Sequence, residues 1–235
     1  MHSAGWRRIF IHVRKELLLA VGVAILLGRS LPCGAQSRWI YRDLTGKIVT
    51  IIHLQEVAHG DDITIHSTLS DGDLHDVEMD ASRTTLRYAF ASPARRTAYT
   101  ATREGNQISL QGTLNDQPLS RRFRIDSHPW FQSMEWSLQP LILSGSSQPL
   151  VFWVLQPFEG RVYLMQAHEE RTEEIDVDSR TVEAMRVRVS PWGILSAVWS
   201  SLYWFRPSDG EFLRYEAVRG LPGTPKTVVE LVQEL

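Results

Sequence analysis

The stretch Asp62-Ile63-Thr64-Ile65-His66 alternates polar and apolar side chains at every position. A second stretch, Gln107-Ile108-Ser109-Leu110-Gln111, repeats this alternation. Because successive side chains of a β-strand point to opposite faces, each stretch places its two apolar residues on one face and its polar residues on the other. The two stretches therefore predict strands that the rest of the protein covers on one side only.

The same pattern extends outward from these stretches over the region from Arg38 to Asp126. Short segments rich in Ile, Val, Thr, Tyr and Phe alternate there with turn residues such as Glu104-Gly105-Asn106 and Asn115-Asp116. Such residues adopt the tight and left-handed conformations of hairpins. The region is typical of a meander of antiparallel strands. We predict strands near residues 38–44, 47–57, 62–69, 74–80, 84–91, 95–103, 106–113 and 119–126.

The alternation breaks at His128-Pro129. Beyond this point apolar residues recur at spacings of one, three and four positions: Trp130, Phe131, Met134, Leu138 and Leu141. This spacing is that of an amphipathic helix, and proline is favoured in a first helical turn. We predict one helix over roughly 130–142 that covers an opening or a face of the sheet.

Strand patterns resume after the predicted helix. The segment Leu150-Val151-Phe152-Trp153-Val154-Leu155 is apolar on both faces, as in a strand that lies between two layers. The acidic segment from His168 to Glu174 lacks the glycine and the ligand spacing of calcium loops, and we interpret it as two charged hairpin arms with Arg171 at the tip. The second half is predicted to form strands at residues 150–156, 161–169, 172–178, 181–190, 194–206, 211–218 and 226–232.

The N-terminus has the order of a secretory signal peptide. Basic residues such as Arg7, Arg8 and Lys15 precede an apolar run over 17–27, and the small residues Gly34 and Ala35 follow. The apolar run is about half as long as a membrane-spanning helix, which needs roughly 20 residues. We therefore expect cleavage after Ala35, export to the periplasm or beyond, and no permanent transmembrane anchor. Either the general secretory or the twin-arginine route is open, because Arg7-Arg8 fits the latter in part.

Cys33 is the single cysteine of the chain, so a mature chain of 36–235 carries no thiol. Pro32 fits lipoprotein processing poorly, and we do not expect lipid anchoring at Cys33. Cleavage removes five of the 25 basic residues and one of the 27 acidic ones, which leaves a net charge of about −6. This charge disfavours nucleic acid as a partner. The length of the mature chain predicts one domain over 36–235.

Motifs of catalysis and metal binding are missing from the sequence. The six histidines beyond residue 35 do not form HExxH or HxH, and the chain has no GxSxG. Ser208-Asp209-Gly210 is better interpreted as a turn than as part of a nucleophile site. We expect no catalytic residue, no metal site and no cofactor, although a catalytic triad assembled only by the fold would leave no such motif.

Aromatic residues concentrate in the second half, on the predicted helix and on the strands expected near it. Between Val198 and Phe205 both faces of the predicted strand are apolar. One interpretation is a large aromatic core. The other is an apolar pocket on the concave face of a curved sheet beneath the helix, because ligand sites are concave and mostly apolar. The candidate ligand-binding residues of that pocket are Trp136, Trp153, Trp199 and Tyr203.

Three stretches of the second half resemble a known family. They are Val182-Glu183-Ala184-Met185-Arg186-Val187-Arg188-Val189, the segment Tyr203-Trp204-Phe205-Arg206-Pro207-Ser208-Asp209-Gly210 with its continuation to Glu216, and Thr227-Val228-Val229-Glu230-Leu231. They are similar to the C-terminal half of the domain of unknown function 3108 family of exported bacterial proteins. The resemblance implies an architecture like the curved half-barrel sheets of periplasmic lipoprotein carriers. It carries over no functional residue.

The sequence thus predicts a mainly β protein with a curved antiparallel sheet or half-barrel and one capping helix. Our leading hypothesis is a non-enzymatic periplasmic binding protein for an apolar or lipid-like ligand or a lipidated protein. A second hypothesis is an envelope interaction protein whose exposed strand edges pair with another chain. A hydrolase is the third.

Overall fold

One antiparallel sheet contains the strands of the computed structural model, which describes residues 36–146, 148–193, 199–218 and 226–235. Within these residues the sheet has 14 strands. They are β1 Gln36–Thr45, β2 Ile48–His59, β3 Asp62–Leu69, β4 Leu74–Met79, β5 Thr85–Ser92, β6 Thr97–Glu104, β7 Gln107–Leu114, β8 Gln117–Arg124, β9 Leu150–Gln156, β10 Arg161–Val177, β11 Arg180–Pro191, β12 Ser201–Phe205, β13 Phe212–Val218 and β14 Lys226–Glu234. Two short helices are α1 Met134–Ser137 and α2 Gln139–Ser144.

Sequence neighbours pair along the sheet, which runs from β8 through β1 to β14 and then back to β9. The pairing of β1 with β14 joins the two halves of the chain. The sheet is open, and β8 and β9 form its two edges. The predicted fold class, a mainly β protein with a large antiparallel sheet, is confirmed.

The predicted alternation produces continuous rows of buried side chains. In one row Ile65 pairs with Val77, Val77 with Tyr88, Tyr88 with Ala101, and Ala101 with Leu110 on five successive strands. All five side chains are almost completely buried. Burying a large apolar side chain contributes about 1.5–3 kcal/mol, so such rows supply much of the driving force for this half of the sheet.

The acidic segment near Arg171 differs from its prediction. It forms no hairpin, because β10 runs without interruption from Arg161 to Val177 and contains only a bulge between Glu169 and Arg171. The carboxylate of Glu170 accepts hydrogen bonds from Arg186 and Arg188 on the neighbouring strand β11. These cross-strand ion pairs favour a continuous strand, so the interpretation of two arms with a tip at Arg171 was wrong. Of the predicted strand 194–206, residues 194–198 lie outside the described part of the chain.

The predicted helix begins later and is divided. Its first residues are instead held as an extended segment against β9: the amide of Trp153 donates to the carbonyl of Pro129 at 2.8 Å, and the amide of Phe131 donates to the carbonyl of Trp153 at 2.9 Å. α2 begins at Gln139, and Pro140 lies in its first turn. Because Pro140 has no N–H group, it cannot continue the hydrogen bonds of α1, and the two helices are separate. The apolar residues of the predicted helix are therefore divided among an extended segment and two short helices.

The two helices pack into the core. Buried side chains of α1, α2 and the residue between them, Trp136, Leu138, Leu141 and Ile142, belong to the same hydrophobic cluster as the inner residues of the sheet. The described residues all fall within one compact unit. No helix among them is long and apolar enough to span a membrane.

Side chains bridge the seam between the two edge strands. Arg121 on β8 donates from Nη1 to the carbonyls of Glu159 and Gly160, at 2.8 and 3.0 Å, in the turn that follows β9. At the other end of the seam, the Trp153 indole donates to Asp126 at 2.9 Å. These contacts bring β8 close to β9, although the sheet order leaves them without a mutual ladder.

Candidate ligand-binding site

An apolar groove of about 580 Å³ lies beside α2. It runs between the turn that links β4 to β5, the extended segment before α1, and the residues that lead into β9. Its described lining consists of Ser82, Thr84, Pro129, Phe131, Ser137, Pro140, Leu141, Ser144, Ser146, Gln148, Pro149 and Leu150. None of these twelve residues is charged. The volume falls within the range of about 300–1,000 Å³ that is usual for small-molecule sites.

The floor of the apolar groove consists of buried side chains. Phe131 and Leu141 are 4% and 5% exposed, and Ser137 between them is 1% exposed. The Phe131 ring packs against Phe152 of β9 with 5.0 Å between the ring centroids. Phe131 and Leu141 are thus packed into the hydrophobic core without a ligand.

Gln132 fixes one wall of the groove to β9. Its side-chain amide donates to the Leu155 carbonyl at 2.9 Å, and its Oε1 accepts from the Leu155 amide at 3.2 Å and from the Trp130 indole at 3.1 Å. On the other side, the Thr85 amide donates to the Trp130 carbonyl at 2.8 Å. The extended segment is therefore held between β5 and β9, and it carries Phe131 into the groove.

The structure places the four predicted ligand-binding aromatics at separate points. Trp136 of α1 contacts Trp39 edge to face at 5.3 Å, and its indole donates to Glu56 at 2.6 Å. Trp153 lies on β9 with its indole on Asp126. Tyr203 packs against Tyr215, with 4.9 Å between the ring centroids, and Trp199 packs against the hydrophobic core.

None of the four predicted aromatics is among the described lining residues of the apolar groove. A ligand role for Trp136, Trp153, Trp199 and Tyr203 stays a prediction. The helical pattern already contained Phe131 and Leu141, so part of the groove carried a sequence signal. The segment Ser144 to Pro149 carried none, because its serines and prolines are indistinguishable from those of an ordinary loop.

A second groove, of about 550 Å³, is lined by charged groups. Its described lining is Arg42, Asp176, Asp178, Ser179, Arg214 and Glu230. Arg214 donates to Glu230 at 2.6 Å, and Thr181 donates to Asp176 at 2.8 Å. Several of these charges already have partners within the protein, which leaves the apolar groove as the better candidate for a ligand.

A buried polar cluster lies beneath the turn between β12 and β13. The Tyr41 hydroxyl lies 3.1 Å from both Oε1 of Glu211 and the carbonyl of Phe212, yet it has one proton for two acceptors. Burial raises the pKa of Glu211 to about 7, and the nearby carboxylate of Glu234 adds to the effect while Tyr41 and Arg206 oppose it. A protonated Glu211 can donate to Tyr41 while Tyr41 donates to Phe212, so the neutral acid suits this site.

We expect Glu211→Gln to stabilise the protein at pH 8 by about 2–3 kcal/mol, because the wild-type carboxyl must there be charged while it is partly buried. The folded-state pKa lies above the unfolded value. The penalty is therefore present above pH 7 and disappears as the pH falls below about 4.5. Urea denaturation from pH 4.5 to pH 8.5 measures the difference between variant and wild type.

The exposed Glu174, changed to Gln, provides the control for removal of a surface carboxylate. A difference between Glu211→Gln and wild type that is as large at pH 4.5 as at pH 8.5 would contradict the raised pKa of Glu211.

Comparison with known proteins finds a solved structure with a similar fold but identifies no family for this chain. No protein-family model and no curated protein matches the chain. The structure of a β-barrel-like protein of domain of unknown function DUF1849 from Brucella abortus is similar to this protein, with a TM-score of 0.54 and 9% sequence identity. The similarity covers 85% of this chain and 96% of the Brucella abortus chain. At that identity the likeness shows a shared fold alone.

Two other solved structures align over most of the chain with lower scores. A LolA superfamily protein from Nitrosomonas europaea covers 85% of this chain and 84% of its own, with a TM-score of 0.28 and 10% identity. A putative outer membrane lipoprotein-sorting protein domain from Vibrio parahaemolyticus covers 86% of this chain and 85% of its own, with a TM-score of 0.26 and 10% identity. Scores this low support no inference. The resemblance to the domain of unknown function 3108 family stays a prediction.

Proposed function

We propose that this chain is an exported, non-enzymatic binding protein that holds a lipid-like ligand, or the lipid of a lipidated protein, in the apolar groove. The observation that carries the proposal is the uncharged lining of a preformed groove of about 580 Å³. Apolar sites with a few neutral polar groups are characteristic of such ligands. The predicted signal peptide supports a periplasmic location.

The lining offers binding rather than chemistry. Its described hydroxyls belong to serine and threonine, which need a neighbouring base to act as nucleophiles. The Asp80 carboxylate accepts from the Ser82 hydroxyl, but the same oxygen also accepts from the Ser82 and Thr84 amides and so holds the turn together. No histidine, lysine or carboxylate is among the twelve described lining residues. The arrangement therefore favours a carrier or a sequestering protein over a hydrolase.

Leu150→Glu provides the first test. Leu150 lines the groove at the start of β9, and a carboxylate there should reduce lipid retention about ten-fold or more, because an apolar chain would have to lie against an unpaired charge. The protein is purified from the periplasm without detergent. Native mass spectrometry and organic extraction then measure the bound lipid.

Leu143→Glu is the matched control, since Leu143 lies on α2, is 58% exposed and is not a lining residue. Ser146→Glu places the charge at the rim, which leaves the core intact if Leu150→Glu does not fold. Equal lipid retention by wild type, Leu150→Glu and Ser146→Glu would refute the groove as the site. A wild-type protein that carries no extractable molecule and binds none added would refute the function.

The interaction-protein hypothesis has weaker support in the structure. The edge strand β8 contains Pro118, which has no N–H group to pair, and it also contains Arg122 and Arg124. Proline and charge on an edge strand oppose pairing with another chain. A single stoichiometric protein recovered by crosslinking, without lipid, would favour this hypothesis instead.

A further inference from the structure

We propose that the apolar groove selects neutral lipids, such as fatty alcohols and monoacylglycerols, against anionic lipids of the same chain length. This inference rests on the proposed function and adds the chemical class of the ligand. It follows from where the hydroxyl protons of the lining are directed.

Two serines of the α1 and α2 wall already donate their protons within the protein. The Ser137 hydroxyl donates to the Arg83 carbonyl at 2.9 Å, and the Ser144 hydroxyl donates to the Leu141 carbonyl at 2.9 Å. A hydroxyl has one proton and two lone pairs. Neither hydroxyl therefore has a proton left to donate to a ligand in the groove.

The opposite wall, in the turn between β4 and β5, has the same character. Oδ1 of Asp80 accepts from the Ser82 amide at 2.9 Å, from the Ser82 hydroxyl at 2.6 Å and from the Thr84 amide at 3.0 Å. Because the Ser82 hydroxyl donates its proton to Asp80, Thr84 must be the donor in the 3.0 Å hydrogen bond between the Ser82 and Thr84 hydroxyls. This wall thus presents acceptors, and a carboxylate charge lies directly behind it.

The donors that the lining does keep are neutral and lie toward solvent. The backbone amide of Gln148 donates to the hydroxyl oxygen of Ser146 at 3.3 Å, so the Ser146 hydroxyl proton is left for a ligand. The exposed Gln148 adds a side-chain amide. These groups suit a hydroxyl or an ester carbonyl at the polar end of a ligand.

The nearest arginine of the turn faces away from the groove lining. Arg83 contributes its backbone carbonyl to Ser137, while its guanidinium lies 3.8 Å from the Glu56 carboxylate near Trp136. Arg83 is also absent from the described lining. Among the described lining residues a carboxylate or phosphate would therefore find neutral donors at Ser146 and Gln148 but no cation, and an anion without a cation is expensive to remove from water.

Direct binding measurements with three ligands of matched chain length test the preference. Equilibrium binding of radiolabelled hexadecan-1-ol, 1-monopalmitoylglycerol and hexadecanoate is measured below their aggregation thresholds on the delipidated mature protein. At pH 8 we expect the two neutral ligands to bind at least about ten-fold more tightly than hexadecanoate. As the pH falls below about 4.5, near the pKa of a carboxyl group, hexadecanoate should approach the alcohol in affinity.

Ser144→Lys should remove most of the preference. An ammonium at this lining position supplies the missing cation, so hexadecanoate should gain about ten-fold in affinity while hexadecan-1-ol changes by less than about three-fold. Ser208→Lys, in the exposed turn between β12 and β13, is the control for added surface charge.

The outcomes separate the two claims. Hexadecanoate that binds wild type at pH 8 as tightly as the alcohol would overturn the neutral-lipid preference and leave the proposed function standing. Binding of none of the three ligands would overturn both. A gain for hexadecanoate in Ser208→Lys equal to that in Ser144→Lys would show that general surface charge, and not the groove, sets the preference.

Discussion

Gly112→Ala is expected to lower the free energy of unfolding by about 4–6 kcal/mol, enough to leave much of the protein unfolded. Gly112 lies on β7 opposite Tyr99 of β6 with φ of +145°, a conformation that residues with a side chain rarely adopt. A Cβ atom added there would lie 2.3 Å from the Ala98 carbonyl oxygen and 2.6 Å from the Tyr99 Cα. Both obstacles belong to the backbone, so β6 and β7 would have to separate.

The neighbouring turn of the same hairpin provides the control for this variant. Gly105 also has a positive φ, of 56°, but an added Cβ would meet nothing within 4 Å. Gly105→Ala should therefore cost about 1 kcal/mol, from backbone strain alone. Urea denaturation followed by circular dichroism measures both variants. Equal losses would show that the close approach at Gly112 contributes little and that only its backbone conformation matters.

The close approach at Gly112 also affects the seam of the sheet. Tyr99 lies opposite Gly112, and its hydroxyl donates to the Pro157 carbonyl at 3.0 Å in the turn that follows β9. Phe158 of that turn packs on Phe90 with 5.5 Å between ring centroids. A displaced β6 would therefore loosen its contact with the turn after β9 as well as one hairpin.

Local hairpins could be predicted from the sequence because their signals are local. All eight strands before residue 126 were placed within two residues of their observed bounds, since a turn pair such as Asn115-Asp116 fixes both strands beside it. The pairing of β1 with β14 could not be predicted in this way. It joins residues near the two ends of the described part of the chain, such as Trp39 and Glu234, and no turn connects them.

The acidic segment near Arg171 was predicted wrongly for a related reason. Glu170 and Glu173 resemble a polar tip until Arg186 and Arg188 of the next strand are placed beside them. Trp204 was predicted on an apolar strand, but its indole donates to Glu173 at 2.9 Å and only the folded sheet brings the two together. Charge and aromatic patterns along one segment do not identify partners on another.

The candidate site was the hardest feature to predict. Its floor combines Phe131 with Leu141, which the periodicity assigned to one helix and which the fold places on an extended segment and on α2. The walls contain serines whose role depends on which groups accept their hydroxyl protons. A single sequence contains the residues of such a groove but not the hydrogen bonds that give it a chemical preference.

Gln132→Leu should be the other strongly destabilising substitution, with a loss of about 3–5 kcal/mol in the free energy of unfolding. The leucine keeps the volume of the side chain, but it leaves the Leu155 amide, the Leu155 carbonyl and the Trp130 indole without their partner. Each polar group left unpaired in a buried setting costs about 1–3 kcal/mol. Leu155 and Trp130 are fully buried, so water does not readily replace the lost amide.

The Gln132→Leu loss has a functional consequence that separates it from a general loss of stability. Gln132 holds the segment that carries Phe131 into the groove, so ligand retention should fall even under conditions in which the variant stays folded. Gln111→Leu, on the exposed face of β7, is the control and should change stability by less than about 0.5 kcal/mol. A Gln132→Leu variant that unfolds at the wild-type urea concentration and retains lipid normally would show that the backbone contacts of residues 129–131 hold the groove wall without Gln132.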